Sequence, residues 1–236
     1  MKNFFTIIGG MGTEATESYL HLLNLRTPAH SDQEYLNYVL LNHATIPDRT
    51  NYILNHKRPS PLPDLLEDVH QQNQFHPEFY ALPCNTAHYF YGQIAKAANA
   101  PVLHMPKEAV AEIAHQVPNA ERVGLIATRG TIADHIYDRE IKNHGYQLIR
   151  PTAKIEAETM RLIYNDIKAE NNANPKLYHR ILSEMVNQQR CDVVILGCTE
   201  LSLAQERCGS HGYSVIDAQS VLVDRSIQLA ERLQKR

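Results

Sequence analysis

The chain has 236 residues, enough to bury a full hydrophobic core without disulfide staples, as one large domain or two small ones. Its hydrophobic content of 43% and charged content of 21% are those of an ordinary globular protein. The 23 basic and 26 acidic residues leave a net charge of -3, which argues against a general nucleic-acid binder, since such proteins carry a basic surplus.

Short β-type runs alternate with helical periodicity along the chain. Residues 4–8 form a buried-strand pattern that ends at Gly9-Gly10, and a helix pattern follows from Thr13 to about residue 24. Residues 38–41 and 79–82 are the second and third predicted strands, the latter ending at Pro83-Cys84. Between them Pro59, Pro61 and Pro63 predict a loop. Ala87, Phe90, Tyr91 and Ile94 fall on one helix face, as do Ala109, Val110, Ile113, Ala114 and Val117.

The pattern then starts again. Residues 123–127 predict a strand, a helix follows Gly130-Thr131, and 147–149 predict a short strand. Met160, Ile163, Tyr164 and Ile167 mark one helix; Tyr178, Ile181, Leu182 and Met185 mark the next. Residues 193–196 predict a strand ending at Gly197-Cys198, 215–216 a last strand, and 219–234 a final helix. Alternation of this kind predicts an α/β fold with mainly parallel sheets flanked by helices.

The two halves echo each other. Phe5-Thr6-Ile7-Ile8-Gly9-Gly10-Met11-Gly12-Thr13 and Val123-Gly124-Leu125-Ile126-Ala127-Thr128-Arg129-Gly130-Thr131 are both a strand, a turn and a helix start ending in Gly-Thr. Each is followed at similar distance by a strand ending in a cysteine, Cys84 or Cys198, with Thr86 or Thr199 close behind. The predicted architecture is two pseudo-symmetric α/β domains. The first is residues 1–103 completed by 212–236, the second residues 104–211, with the active site in the cleft between them. Ligands of open α/β sheets bind beyond the carboxyl ends of the strands.

No apolar run approaches the roughly 18–20 residues needed to span a bilayer. The N-terminal apolar stretch ends too soon for a signal peptide, so a cytoplasmic protein without a membrane partner is expected. In that compartment Cys84, Cys191, Cys198 and Cys208 are thiols. None has CxxC spacing, so no metal site is expected from the thiols alone. The repeat pairs Cys84 with Cys198; Cys191 and Cys208 have no counterpart and read as structural.

A strand-to-helix junction favours thiolate through its unpaired N–H groups and the dipole of the helix. Two cysteines on opposite sides of a chiral carbon suit racemisation: a thiolate removes a proton from one face and a thiol returns one to the other. A single cysteine in such a place is ordinarily packing; the matched pair carries the reading.

Gly9-Gly10-Met11-Gly12, Pro83-Cys84-Asn85-Thr86-Ala87-His88 and Gly197-Cys198-Thr199-Glu200-Leu201 resemble the signature segments of the aspartate/glutamate racemase superfamily, most nearly its aspartate racemase branch. The resemblance covers essentially the whole chain. Glutamate racemases differ in carrying Asp-Ser-Gly near the start and a histidine where Glu200 stands. Many relatives also have proline at the position of Thr13.

The resemblance implies a racemase of L- and D-aspartate, with glutamate as the other substrate candidate. It implies no cofactor and a homodimeric assembly, and the charge balance already argues against a nucleic-acid partner. It assigns Cys84 and Cys198 as the acid/base pair and Arg49 and Lys168 as carboxylate binders. Asn85, Thr86, Thr131 and Thr199 match polar positions around the substrate, and Met11 and Gly12 the loop lining it. Arginine can grip a carboxylate through a bidentate fork and lysine supplies a point charge. Cationic donors also stabilise the charge that develops as the α-proton leaves. His88 reads as a residue of the helix after Cys84, and Glu200 as complementing the dipole of the helix it begins. A maleate-type cis–trans isomerase with a nucleophilic cysteine, and a non-catalytic binder of acidic amino acids, are the alternatives.

Overall fold

The computed structural model describes residues 1–234. The chain divides into two compact units, Met1–Met105 with Gln219–Arg236, and Pro106–Ala218.

In the first unit, β1 (Phe5–Gly9) is a run of five buried residues, as expected of a central parallel strand whose two faces are both covered. α1 (Thr13–Arg26) follows, then β2 (Tyr38–Asn42), α2 (Arg49–Leu54), α3 (Leu62–Asn73), β3 (Tyr80–Ala81) and α4 (Tyr91–Ala97). The sheet order is β2-β1-β3, all parallel. Val102 forms a parallel bridge to Tyr80 on the far side of β3.

α5 (Met105–Gln116) leads into the second unit. There β4 (Arg122–Ala127), α6 (Arg129–Ala133), α7 (Asp138–Asn143), β5 (Gln147–Ile149) and α8 (Ala153–Arg161) are followed by α9 (Pro175–Ser183), β6 (Val193–Gly197), α10 (Thr199–Cys208) and β7 (Val215–Asp217). The order β5-β4-β6-β7 is again wholly parallel. The strand orders match member for member, with Val102 in the place of β7. The sequence repeat is therefore a repeat of topology.

α11 (Ala218–Gln234) closes the chain. The Tyr19 hydroxyl of α1 lies 2.6 Å from Ser226 Oγ, and Arg26 pairs with Asp224 at 2.9 Å, so this helix packs with the first unit. The return to the first unit comes at Gln219, later than the predicted 212, because β7 hydrogen-bonds to β6 and stays with the second sheet.

Four local features depart from the sequence pattern. Pro63 lies in the first turn of α3 instead of in a loop, a place where its missing N–H costs nothing. The third strand shortens to Tyr80–Ala81, since only these two residues pair with β1. The helix predicted after Cys84 opens as a 3₁₀ turn, Thr86–Phe90, before becoming α4. Both α8 and α9 run on as π-helical segments, Leu162–Ala169 and Glu184–Gln188, where one helix each was predicted. Among the described residues no helix is long and apolar enough to cross a membrane.

Candidate active site

In the first unit, β1, β2 and β3 run parallel, so the loops after them emerge at one end of the sheet. The loop after β1 holds Gly10, Met11 and Gly12. Gly10 has φ +88°, and a Cβ there would stand 2.5 Å from the His43 backbone, so only glycine fits. Thr16 Oγ1 accepts from the Gly10 N–H at 3.0 Å and donates to the Gly12 carbonyl at 2.9 Å, pinning the loop to α1.

The loop after β2 carries Arg49 at the start of α2, where the Asp48 carboxylate caps the helix by accepting from the Asn51 N–H at 2.8 Å. The guanidinium is buried and turned onto main-chain carbonyls. Nη2 donates to Met11 O at 2.8 Å, and Nη1 to Pro47 O at 3.1 Å and Ile46 O at 3.3 Å. Arg49 thus ties the Met11–Gly12 loop to its own loop, and three of its five N–H groups are spent on that task.

The loop after β3 carries Cys84, buried with Met11, Ile46, Leu82 and Ala87 in one cluster. Asn85 and Thr86 are buried beside it at the start of the 3₁₀ turn. His88 is also buried. Its Nδ1–H donates to Cys84 O at 2.9 Å, and its Nε2 accepts from the Met105 N–H at 3.0 Å. Those partners fix the neutral tautomer. Burial, and secondarily the charge of His104, pushes its pKa down to about 4. His88 is therefore a main-chain tie under Cys84 as well as a residue of the helical segment after it.

In the second unit, Cys198 ends β6 and stands at the N-cap of α10. Thr131 is buried in α6, which follows β4 and begins at Thr128, whose hydroxyl accepts from the Thr131 N–H at 3.3 Å. Ala127 and Gly197 are paired, so both turns leave the same end of the sheet. The Cys198 thiol donates to Glu200 Oε2 at 2.9 Å. Glu200 Oε1 lies 3.3 Å from Lys168 Nζ on the first π segment, and Lys168 in turn sits over the Tyr164 ring, 4.8 Å from its centroid. Thr199 Oγ1 donates to the same carboxylate at 3.4 Å.

The electrostatics here run against the sequence expectation. A helix start favours thiolate, yet burial, and after it the Glu200 charge, pushes the Cys198 thiol well above its usual range, with Lys168 opposing only in part. Glu200 is also more than a complement to the α10 dipole: it joins Cys198 to Lys168. The other two cysteines are thiols of different character. Cys191 is buried and raised to about 11 by burial, and Cys208 is half-buried. Among the described residues no group of three or more His, Cys, Asp or Glu side chains is placed to hold a metal ion.

Each unit thus presents a buried cysteine after the third strand of its sheet, a threonine within two residues of it, and a glycine- or threonine-bearing turn after the first strand. The fold is that of an aspartate racemase of Picrophilus torridus, with TM-score 0.80 and 24% identity over 97% of this chain and 94% of that one. An aspartate racemase homologue from Pyrococcus horikoshii OT3 gives 0.77 and 21% over 97% and 99%. A glutamate racemase from Francisella tularensis, solved with D-glutamate, gives 0.65 and 16% over 98% and 81%. In sequence, the chain is 29% identical over 152 residues to a broad-specificity amino-acid racemase of Bacillus subtilis (strain 168). That match takes in 64% of this chain and spans 63% of the length of the relative. Residues 8–225 match the family described as Asp/Glu/Hydantoin racemase, and the chain belongs to that family.

Proposed function

We propose that the protein is a cofactor-independent amino-acid racemase that interconverts L- and D-aspartate, glutamate being the other substrate candidate. Cys84 and Cys198 exchange protons with opposite faces of the α-carbon. The observation that carries this reading is the equivalence of the two cysteines: each follows the third strand of a sheet whose order repeats that of the other. Family membership supports the reaction class, and Lys168 beside Glu200 and Arg49 on the Met11 loop support an acidic substrate.

Lys168 supplies a point charge to one carboxylate and Arg49 binds the other. Their charge stabilises the enediolate-like species formed when the α-proton departs. Asn85, Thr86, Thr131 and Thr199 offer the ammonium and carboxylate groups polar contacts, and Met11 and Gly12 line the site. In this reading the enzyme is a cytoplasmic homodimer whose only small-molecule partner is the amino acid.

The test is proton NMR of the purified, reduced protein in D₂O with L-aspartate and, in parallel, L-glutamate, with no cofactor added. Loss of the α-proton signal together with appearance of the D-enantiomer supports the reading and ranks the substrates. No exchange with either amino acid overturns it. Conversion of maleate, or tight aspartate binding without exchange, then identifies which alternative applies.

A further inference from the structure

We propose that Glu200 holds the Cys198 thiol protonated and oriented in the resting protein, and that the same carboxylate tethers Lys168 until substrate arrives. The proposal rests on the racemase reading for its catalytic meaning, but its physical core is a local coupling within the second unit.

A thiol and a carboxylate 2.9 Å apart in a buried place cannot both carry negative charge cheaply. Of the two, the carboxylate is intrinsically the stronger acid by about four pH units, so the shared proton stays on sulfur. Lys168 at 3.3 Å from Oε1 reinforces that choice by stabilising the charge on the carboxylate. The thiol is thereby oriented as well as protonated, because it donates into a fixed acceptor.

Lys168 retains solvent exposure, with 27% of its side chain accessible against 5% for Glu200. It can therefore turn from Oε1 to a substrate carboxylate while Glu200 stays against sulfur. No bond is made or broken in that exchange of ion-pair partners.

The titratable and charged groups packed near the pair come from several elements. Lys168 and Asp166 lie on the π segment, Asp166 being held by the Asn174 side chain. Tyr137 precedes α7, and burial drives its pKa up, with the charges of Asp217 and Cys198 adding to the effect. Asp217 of β7 accepts from Ser202 Oγ at 2.5 Å, and Tyr178 of α9 donates to Gln205 at 2.7 Å. Among these, Glu200 is the group that receives the thiol hydrogen bond.

The test is a pH titration of the full chain labelled with ¹³C at cysteine Cβ, whose shift follows the thiol and thiolate forms. Cys198 is assigned by the signal lost in Cys198→Ser. In the wild-type protein the Cys198 midpoint is expected to lie well above that of an ordinary cysteine. Glu200→Gln removes the neighbouring charge and is expected to lower the midpoint at least about tenfold in acid strength, one pH unit. Glu200→Asp keeps the charge at shorter reach, should fall between the two, and serves if the glutamine variant does not fold. The alkaline limb of racemisation should move down with the midpoint in each variant.

An unchanged Cys198 midpoint in the folded variants, or a wild-type thiol already ionised at neutral pH, overturns the proposal. A shifted midpoint with no racemisation by the wild-type protein overturns the racemase reading instead and leaves the coupling standing.

Discussion

The imidazole of His88 bridges the Cys84 carbonyl and the Met105 N–H, at 2.9 and 3.0 Å, and does so from a buried position. Only the neutral ring can accept at Nε2 while donating from Nδ1. The folded pKa of about 4 lies below the unfolded value near 6.5, so the unfolded chain binds the extra proton. The stabilisation is complete above about pH 6.5 and is lost as pH falls toward 4, amounting to about 3 kcal/mol across that window. Urea unfolding of wild type and His88→Gln at pH 7.5 and 5.0 checks this: the wild-type protein should lose more stability between the two pH values than the variant. Equal losses would remove His88 from the acid sensitivity of the fold.

Arg49 is predicted to be both a clamp and a binding residue, and the two roles separate on measurement. Arg49→Lys cannot reach the Met11, Pro47 and Ile46 carbonyls together. Losing charge-assisted bonds to buried carbonyls should cost about 2 kcal/mol in urea unfolding. If the guanidinium also meets the substrate, KM for aspartate should rise about tenfold or more, since lysine lacks the planar fork. Lost stability with an unchanged KM would make Arg49 a clamp only.

How much of this was legible beforehand depends on which interactions decide each feature. The strands were readable because β1 and β6 are unbroken buried runs, a signature that needs no knowledge of partners. The topological repeat was readable from the order of strand, turn and cysteine. The first turn of α3 was hidden among prolines that usually signal a loop. The π segments were hidden because Ile163 and Ile167 are buried under either helical spacing. The bond from Cys198 to Glu200 was also invisible, since an acidic residue in the first turn of α10 already has a sufficient explanation in the helix dipole. Its pairing with Lys168 depends on two separate elements packing together. Arg49 was legible as a residue of the loop after β2, but its turn toward carbonyls depends on where Met11 O points.

Gly10→Ala is expected to be among the most destabilising single-methyl changes in the first unit. A left-handed φ and a Cβ pressed to 2.5 Å from rigid backbone together cost about 3 kcal/mol. The insertion also displaces the N–H that donates to Thr16, and with it the Met11–Gly12 loop. A lowered urea midpoint and reduced activity should appear together. Wild-type stability in the variant would mean that His43 can move aside.

The cysteines themselves give the sharpest prediction, because the two single variants should fail differently. Each of Cys84→Ser and Cys198→Ser should lose racemisation at least about a hundredfold, the scale of a missing acid/base group. Proton abstraction needs only the thiolate facing the α-hydrogen, so Cys198→Ser should retain α-deuterium exchange from one enantiomer without inverting it, and Cys84→Ser should exchange the other more slowly, because Glu200 keeps most of Cys198 protonated. The enantiomer that still exchanges in Cys198→Ser is the one whose hydrogen meets Cys84, and it should be silent in Cys84→Ser. NMR of L- and D-aspartate with each variant in D₂O reads all four combinations. Exchange of the same enantiomer by both variants would mean that the cysteines share one face of the α-carbon, and the two-base mechanism would fall.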